Sequence, residues 1–225
     1  MVKAIIVNET GGPEVLSYED ISIPTPKKGE VRVVHKAIGL NYIDVYFRSG
    51  VYPFPRLPGI PGMEGSGVVK EIGEGVEDIS IGDRVAYAAA PPGSYLEERN
   101  IKSEQLVKLP DEISFELGAA MMLQGMTVEY LVRRTYEVKS GETVLVHAAA
   151  GGVGLMLCQW LKHIGARVIG TVSSEEKAAL ASNNGCDHPI NYKTDDWVSQ
   201  VKDLTNGKGV PVVYDSVAKD TFKGS

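Results

Sequence analysis

The segment that most constrains the fold is Ala148-Ala149-Ala150-Gly151-Gly152-Val153-Gly154. It follows Thr143-Val144-Leu145-Val146-His147, a continuous apolar run of the kind that forms a strand buried on both faces. It opens an apolar-periodic stretch over residues 153–164, and Gly165 supplies the stop expected of a helix. Strand, glycine turn and helix in register form a dinucleotide-binding arrangement. Against the pattern G-x-G-x-x-G, Ala149 replaces the first glycine, Gly151 is the second and Gly154 the third. The second lets the backbone approach a diphosphate at the helix N-terminus; the third permits close helix–strand packing. The backbone of Gly151, Gly152, Val153 and Gly154 is therefore the expected diphosphate cradle.

The same alternation continues to the end of the chain. Residues 167–172 read as a strand. A helix follows with Ser173 and Glu176 spaced as a capping box, and Gly185 closes it. Residues 189–192 are a short strand. Thr194 is the expected cap of a helix carrying Trp197, Val198, Val201 and Leu204 on one face, and residues 211–215 are the last strand. A β-α-β-α-β-α-β run predicts a parallel sheet covered on both faces. Such sheets usually have about six strands and four are counted here, so the chain reads as one cut short by about 100 residues. Upstream, Ser114 is the expected cap of a helix through residues 118–122, and a second helical stretch covers about residues 127–134.

The first ~110 residues carry a different punctuation, with apolar runs at 2–7, 31–38, 68–72 and 84–90 separated by turn signals such as Gly11-Gly12-Pro13. Gly59, Gly62, Gly65 and Gly67 crowd one segment and predict bulges or close backbone contacts. The expected division is residues 1–124 and 125–225. Met1-Val2-Lys3-Ala4-Ile5-Ile6-Val7 reads as a first strand and not a signal peptide, which makes the cytoplasm the expected compartment. The apolar stretch over residues 144–161 contains His147, Gly151, Gly152, Gly154 and Gln159, so no membrane span is expected. A net charge of −6 weighs against nucleic acid as a partner. With only Cys158 and Cys186, no cysteine metal lobe can be written.

The end of the second strand of the alternating run selects the cofactor. An NAD site usually places a carboxylate there to hold the ribose hydroxyls. This chain reads Thr171-Val172-Ser173-Ser174, with Lys177 one turn into the next helix. The hydroxyls of Ser173 and Ser174 with the Lys177 ammonium suit a 2′-phosphate and favour NADPH. In the alternative, Ser173 is only a cap and Lys177 only a solvated side chain.

With these residues placed, the chain resembles the quinone oxidoreductases, the ζ-crystallin-like branch of the medium-chain dehydrogenase/reductase superfamily. The resemblance rests on the segment from Gly39-Leu40-Asn41-Tyr42 to Phe47-Arg48-Ser49-Gly50, on His147-Ala148-Ala149-Ala150-Gly151-Gly152-Val153-Gly154, and on Val213-Tyr214-Asp215-Ser216-Val217. It covers essentially the whole chain. It implies an α/β protein with a GroES-like β-barrel domain followed by a Rossmann doubly wound parallel sheet truncated at its C-terminus. It also implies a homodimer formed through a sheet edge beyond residue 225. Zinc-dependent members carry Gly-His-Glu where this chain has Gly62-Met63-Glu64, and a cysteine near the place of Asn41 and Tyr42. A thioether and a carboxamide do not make a zinc site, so no metal is expected. A quinone or an activated alkene spreads the charge of an added hydride, so hydrogen-bond donors and positioning could suffice.

The resemblance implies that Asn41, Tyr46, Tyr52 and Gln124 surround the nicotinamide and the acceptor. Thr127 and Tyr130 would lie on the nicotinamide side, Tyr192 beside the 2′-phosphate or adenine, and Val217 along the ribose or nicotinamide. Each has a plainer alternative: interface aromatics for Tyr46 and Tyr52, turn structure for Asn41 and Gln124, core packing for Tyr192. The expected activity is NADPH-dependent reduction of quinones. Reduction of an enone, alkenal or enoyl-thioester is the alternative enzyme, and a crystallin-like or RNA-binding role the alternative without catalysis.

Overall fold

The computed structural model describes residues 1–88 and 90–225, so residue 89 of the expected run 84–90 lies outside the described residues. The chain divides into two compact units, Met1–Leu123 and Gln124–Ser225.

The first unit is built from antiparallel strands. Strand β1 (Val2–Val7) pairs with β2 (Leu16–Ile21) over its full length, Val2 opposite Ile21 and Val7 opposite Leu16. Strand β3 (Glu30–Gly39) is the spine of a second sheet with β4 (Glu64–Ile72), β5 (Arg84–Ala88), β6 (Glu98–Lys102) and the short β7 (Val107–Lys108), in the order β6-β3-β4-β5-β7. Alternate residues of these strands, Val31, Val33, Val69, Val85, Tyr87 and Ile101, form a buried core. The glycine crowding has the expected cause. The β3–β4 register shifts between Arg32 and Val33 and again between His35 and Ala37. Gly67 sits at this irregularity, where a side chain would drive into the Val34 carbonyl oxygen. Helix α1 (Tyr42–Ser49) leaves β3 and ends at Gly50, which takes a left-handed φ of 81°. The apolar-run reading missed β2, α1, β6 and β7. The strands β2 and β6 are rich in charged side chains, so no apolar run marks them; in β6 the buried pair is Arg99 and Ile101.

The two helical stretches expected after Ser114 are one helix. Helix α2 (Phe115–Tyr130) continues into a π-helical turn (Leu131–Thr135). Gly118 and Gly125 do not break it, because tertiary packing outweighs a propensity cost of about 1 kcal/mol each.

The second unit carries the alternating pattern: β8 (Thr143–Val146), α3 (Gly152–Ile164), β9 (Arg167–Val172), α4 (Glu175–Asn183), β10 (His188–Asn191), α5 (Trp197–Leu204) and β11 (Val213–Tyr214). The four strands pair in parallel in the order β10-β9-β8-β11, the order of the first strands of a doubly wound sheet. Val144, Val146, Val168 and Val172 pack on one face with Leu157, Cys158 and Leu161 of α3. Leu145, Ile169 and Ile190 pack on the other with Val201. Burial on both faces explains the unbroken apolar runs. Two expected caps move. Ser174, not Ser173, caps α4 by accepting the Lys177 amide, and Asp196, not Thr194, caps α5 by accepting the Ser199 amide. In both cases the cap is the residue immediately before the first helical position, as the geometry requires. Among the described residues, no helix is long and apolar enough to cross a membrane.

Candidate dinucleotide and substrate sites

In the second unit the turn after β8 is held by backbone bonds. The Ala149 amide donates to the Thr171 carbonyl at 3.0 Å, and the Gly151 amide donates to the Ala148 carbonyl at 2.8 Å. Ala148 takes a φ of 52°, uncommon for a residue with a side chain. Ala149 is fully buried and its methyl group faces Gly170, where a side chain would lie 2.6 Å from it. The missing first glycine is thus accommodated by a glycine on the neighbouring strand. A side chain at Gly154 would strike the Ala148 carbonyl oxygen, so this third position tolerates only hydrogen. Gly151 precedes α3 without a side-chain cap, which leaves the first-turn amides of a helix N-terminus for an anion. A side chain at Gly152 would lie 2.6 Å from Gln124 Nε2, so the Gln124 amide rests on the start of α3.

A cavity of about 160 Å³ opens beside this turn, lined by Ala148, Ala150, Gly151, Val172, Ser173, Lys177, Tyr192 and Val217. It lies past the carboxyl ends of the parallel strands, where ligands bind in open α/β sheets. The structure therefore brings together Gly151, Ser173, Lys177, Tyr192 and Val217. The Lys177 ammonium donates to Ser173 Oγ at 3.1 Å. Ser174 Oγ is occupied as the cap, accepting from the Lys177 amide at 3.3 Å. Tyr192 and Val217 are 47% and 42% exposed, so neither belongs to the core. Thr127 is half-buried and Tyr130 exposed on α2.

In the first unit, Asn41 is buried and precedes α1. Its amide nitrogen Nδ2 donates to Glu64 Oε2 at 2.7 Å, and its backbone N–H donates to Asp44 Oδ2 at 3.0 Å. Glu64 Oε1 accepts the Leu123 amide at 2.8 Å, and the Tyr95 hydroxyl donates to Asp44 Oδ2 at 3.0 Å. Burial raises the pKa of both carboxyls, and the Asp44 charge pushes Glu64 further up. Sequence reasoning missed Glu64 and Asp44 as parts of this arrangement. The available signal was a carboxylate set among Gly62, Gly65 and Gly67 at the head of an apolar strand. Tyr46 and Tyr52 face each other with ring centroids 5.3 Å apart, flanked by Tyr42 at 5.3 Å from Tyr46 and by Phe47 at 5.8 Å from Tyr52. Tyr52 is 43% exposed and Tyr46 half-buried, so the cluster presents aromatic surface. A larger cavity of about 410 Å³ lies among residues 3–5, 35–40 and 95–97 with Tyr18, and none of the expected site residues lines it. The smaller cavity is the better site because it joins the helix N-terminus to a cation.

Residues 27–139 match the family described as Alcohol dehydrogenase GroES-like domain, and residues 152–225 the family described as Zinc-binding dehydrogenase. The residues at the metal position do not fit a zinc ion: Met63 offers a thioether, and Asn41 already donates to Glu64. The chain is 53% identical over all of its length to a quinone oxidoreductase of Pseudomonas aeruginosa, covering 69% of that protein. It is 45% identical to a 2-haloacrylate reductase of Burkholderia sp., again covering 69%. The crystal structure of Escherichia coli quinone oxidoreductase complexed with NADPH superposes with a TM-score of 0.96 at 48% identity, over 98% of this chain and 68% of that one. Glycine turn, parallel strand order and likeness along the whole chain agree, and the chain belongs to the zinc-free quinone oxidoreductases of the medium-chain dehydrogenase/reductase superfamily.

Proposed function

We propose that this chain takes part in NADPH-dependent reduction of quinones. The observation that carries the reading is the 160 Å³ cavity, which sets Lys177 and Ser173 beside the uncapped turn at Gly151. The fit to a phosphorylated dinucleotide is chemical as well as spatial. The amides of Gly152, Val153 and Gly154 would hold the diphosphate, with Gly151 allowing its approach. Lys177, Ser173 and the neighbouring Ser174 would hold the 2′-phosphate, and an ammonium with a hydroxyl is a charge-assisted donor pair for it. Tyr192 and Val217 would flank the adenine and ribose. Bound NADPH supplies the hydride. Thr127 and Tyr130 would contact the nicotinamide side. Tyr46 and Tyr52 would offer flat faces and phenol donors to a planar acceptor, with Asn41 and Gln124 as neutral amide donors to its oxygen. The NADPH complex of the E. coli relative supports the cofactor, and the quinone oxidoreductase relatives support the acceptor class.

The second reading, reduction of an activated alkene on the same residues, is favoured by the 2-haloacrylate reductase relative. The homodimer and the cytoplasmic compartment belong to the proposal, as does the preference for a small-molecule substrate over nucleic acid. The test is titration of NADPH and NADH against the fluorescence of Trp160 and Trp197. NADPH is expected to bind about tenfold tighter, and Lys177→Ala to abolish that preference. Equal affinities in the parent protein would remove the case for Ser173 and Lys177. Parallel assays with a quinone and an enone separate the two acceptor readings.

A further inference from the structure

The end of β11 carries a polar arrangement that the dinucleotide site as described does not use. Asp215 turns back on the chain that follows it. Its Oδ1 accepts the amides of Val217 and Ala218, both at 2.9 Å. The Thr221 hydroxyl lies 2.9 Å from Oδ1 and 2.8 Å from Oδ2. Ala218 is held at a φ of 63°, a conformation that a residue with a side chain adopts only when its surroundings dictate it. The turn is therefore shaped by one carboxylate, and Val217, at its apex, is a wall of the 160 Å³ cavity.

Asp215 is tied in turn to the strands beside it. Ser225 Oγ stands 3.4 Å from Asp215 Oδ2 and 3.0 Å from His147 Nε2. The other ring nitrogen of His147 is 2.8 Å from the Thr171 hydroxyl. The Thr171 carbonyl holds the Ala149 amide of the glycine turn. Asp215 and His147 directly follow β11 and β8, and Thr171 is the last-but-one residue of β9, so the row crosses three neighbouring strands at their carboxyl ends, from the turn at Val217 to the glycine turn. His147 and Thr171 are both 2% exposed, and the His147 ring meets Trp197 edge-on at 4.8 Å. Asp215, His147 and Thr171 are not among the residues that line the cavity; the backbone they hold, at Val217 and at the glycine turn, is.

We propose that Asp215 is a positioning residue for the dinucleotide: by fixing the turn at residues 217–218 it sets the cavity wall, and its loss weakens binding of phosphorylated and unphosphorylated nicotinamide dinucleotides alike. The inference rests on the reading of the cavity as a dinucleotide site. It is separable from a purely electrostatic role. An acid that merely repelled the 2′-phosphate would, on removal, tighten NADPH and leave NADH unchanged, because NADH lacks that group. A support that shapes the wall does the opposite, and to both ligands.

The experiment is fluorescence titration of the parent, Asp215→Ala, Asp215→Asn and Thr221→Val with NADPH and with NADH, each variant checked by circular dichroism and thermal melting. Asp215→Ala is expected to weaken both ligands by about tenfold with their ratio unchanged. Asp215→Asn keeps an acceptor for the Val217 and Ala218 amides and is expected to stay within about threefold of the parent. Thr221→Val leaves the carboxylate in place but removes its hydroxyl donor, and is expected to weaken both by about threefold. This last pair carries the test if Asp215→Ala does not fold. A parent that binds while Asp215→Ala and Thr221→Val bind as well as it does overturns this inference alone. So does a change confined to NADPH. A parent that binds neither dinucleotide overturns the functional reading, and this inference with it.

Discussion

The second unit assembles its candidate site from one turn and the ends of neighbouring parallel strands. Gly151, Ser173, Tyr192 and Val217 each stand just past a strand, β8, β9, β10 and β11 in turn. The first unit joins residues far apart in sequence. Asn41 meets Glu64, Glu64 meets Leu123, Asp44 meets Tyr95, and His35 meets Tyr87 and Leu96. A site of the first kind is written in local order, because topology alone brings strand ends together. A site of the second kind is made by hydrogen bonds between buried polar groups, and each bond depends on the register of an antiparallel sheet.

The second unit is most vulnerable at Gly154. Gly154→Ala places a methyl group against the Ala148 carbonyl oxygen. It is expected to cost about 3 kcal/mol or more in denaturant unfolding of the second unit and to abolish the dinucleotide titration. A variant that binds normally would show that the turn is not held by backbone contact.

The matching change in the first unit acts through pH. His35 Nδ1 lies 2.6 Å from the Leu96 carbonyl, an acceptor only, so it carries the proton; Nε2 then accepts from the Tyr87 hydroxyl at 2.8 Å. Burial, with the nearby Arg99 charge, lowers the pKa of His35 to about 4. The unfolded chain binds a proton near pH 6.5 and the folded chain does not until about pH 4. Stability from this group is therefore complete above pH 6.5 and falls as pH drops toward 4, by up to about 3 kcal/mol. Asp44 and Glu64, whose pKa values are raised, act in the opposite direction over the acid range. Both are retained in His35→Gln, so the difference between the two pH–stability curves isolates His35. Parallel curves between pH 6.5 and 4 would refute the assignment.

Glu64 in the first unit is a milder case, because it is held by two hydrogen bonds and not by backbone collision. Glu64→Ala leaves the Asn41 amide and the Leu123 N–H without this partner and is expected to cost about 2 kcal/mol. Glu64→Gln keeps an acceptor for one of them and should cost about half as much, by thermal melting. Equal losses would mean that the paired acceptors of the carboxylate matter more than the volume of the side chain, since Gln leaves no cavity.

These differences track what could be read from residues alone. The alternating half was legible because its strands are buried on both faces and its helices begin and end with residues that do one job, such as Gly165 at a φ of 89°. Its errors were local: Ser173 and Ser174 are chemically equivalent caps, and only the backbone decides between them. The aromatic cluster around Tyr46 was placed by resemblance, not by pattern. Glu64 escapes a reading by pattern because a single buried carboxylate has no periodicity to announce it. The merging of two expected helices into α2 had the same cause: Gly118 packs against Leu109 and Ser66, neighbours that sequence order does not reveal.

Ala149, in the turn after β8, and Gly170, on β9, form a matched couple in which the smaller partner has changed sides. Grafting residues 148–154 onto another sheet therefore requires carrying position 170 along, since a host with any side chain there would collide with the Ala149 methyl. A pattern search insisting on three glycines in the loop would pass this chain over, although its missing glycine is present 21 residues later, on the adjoining strand.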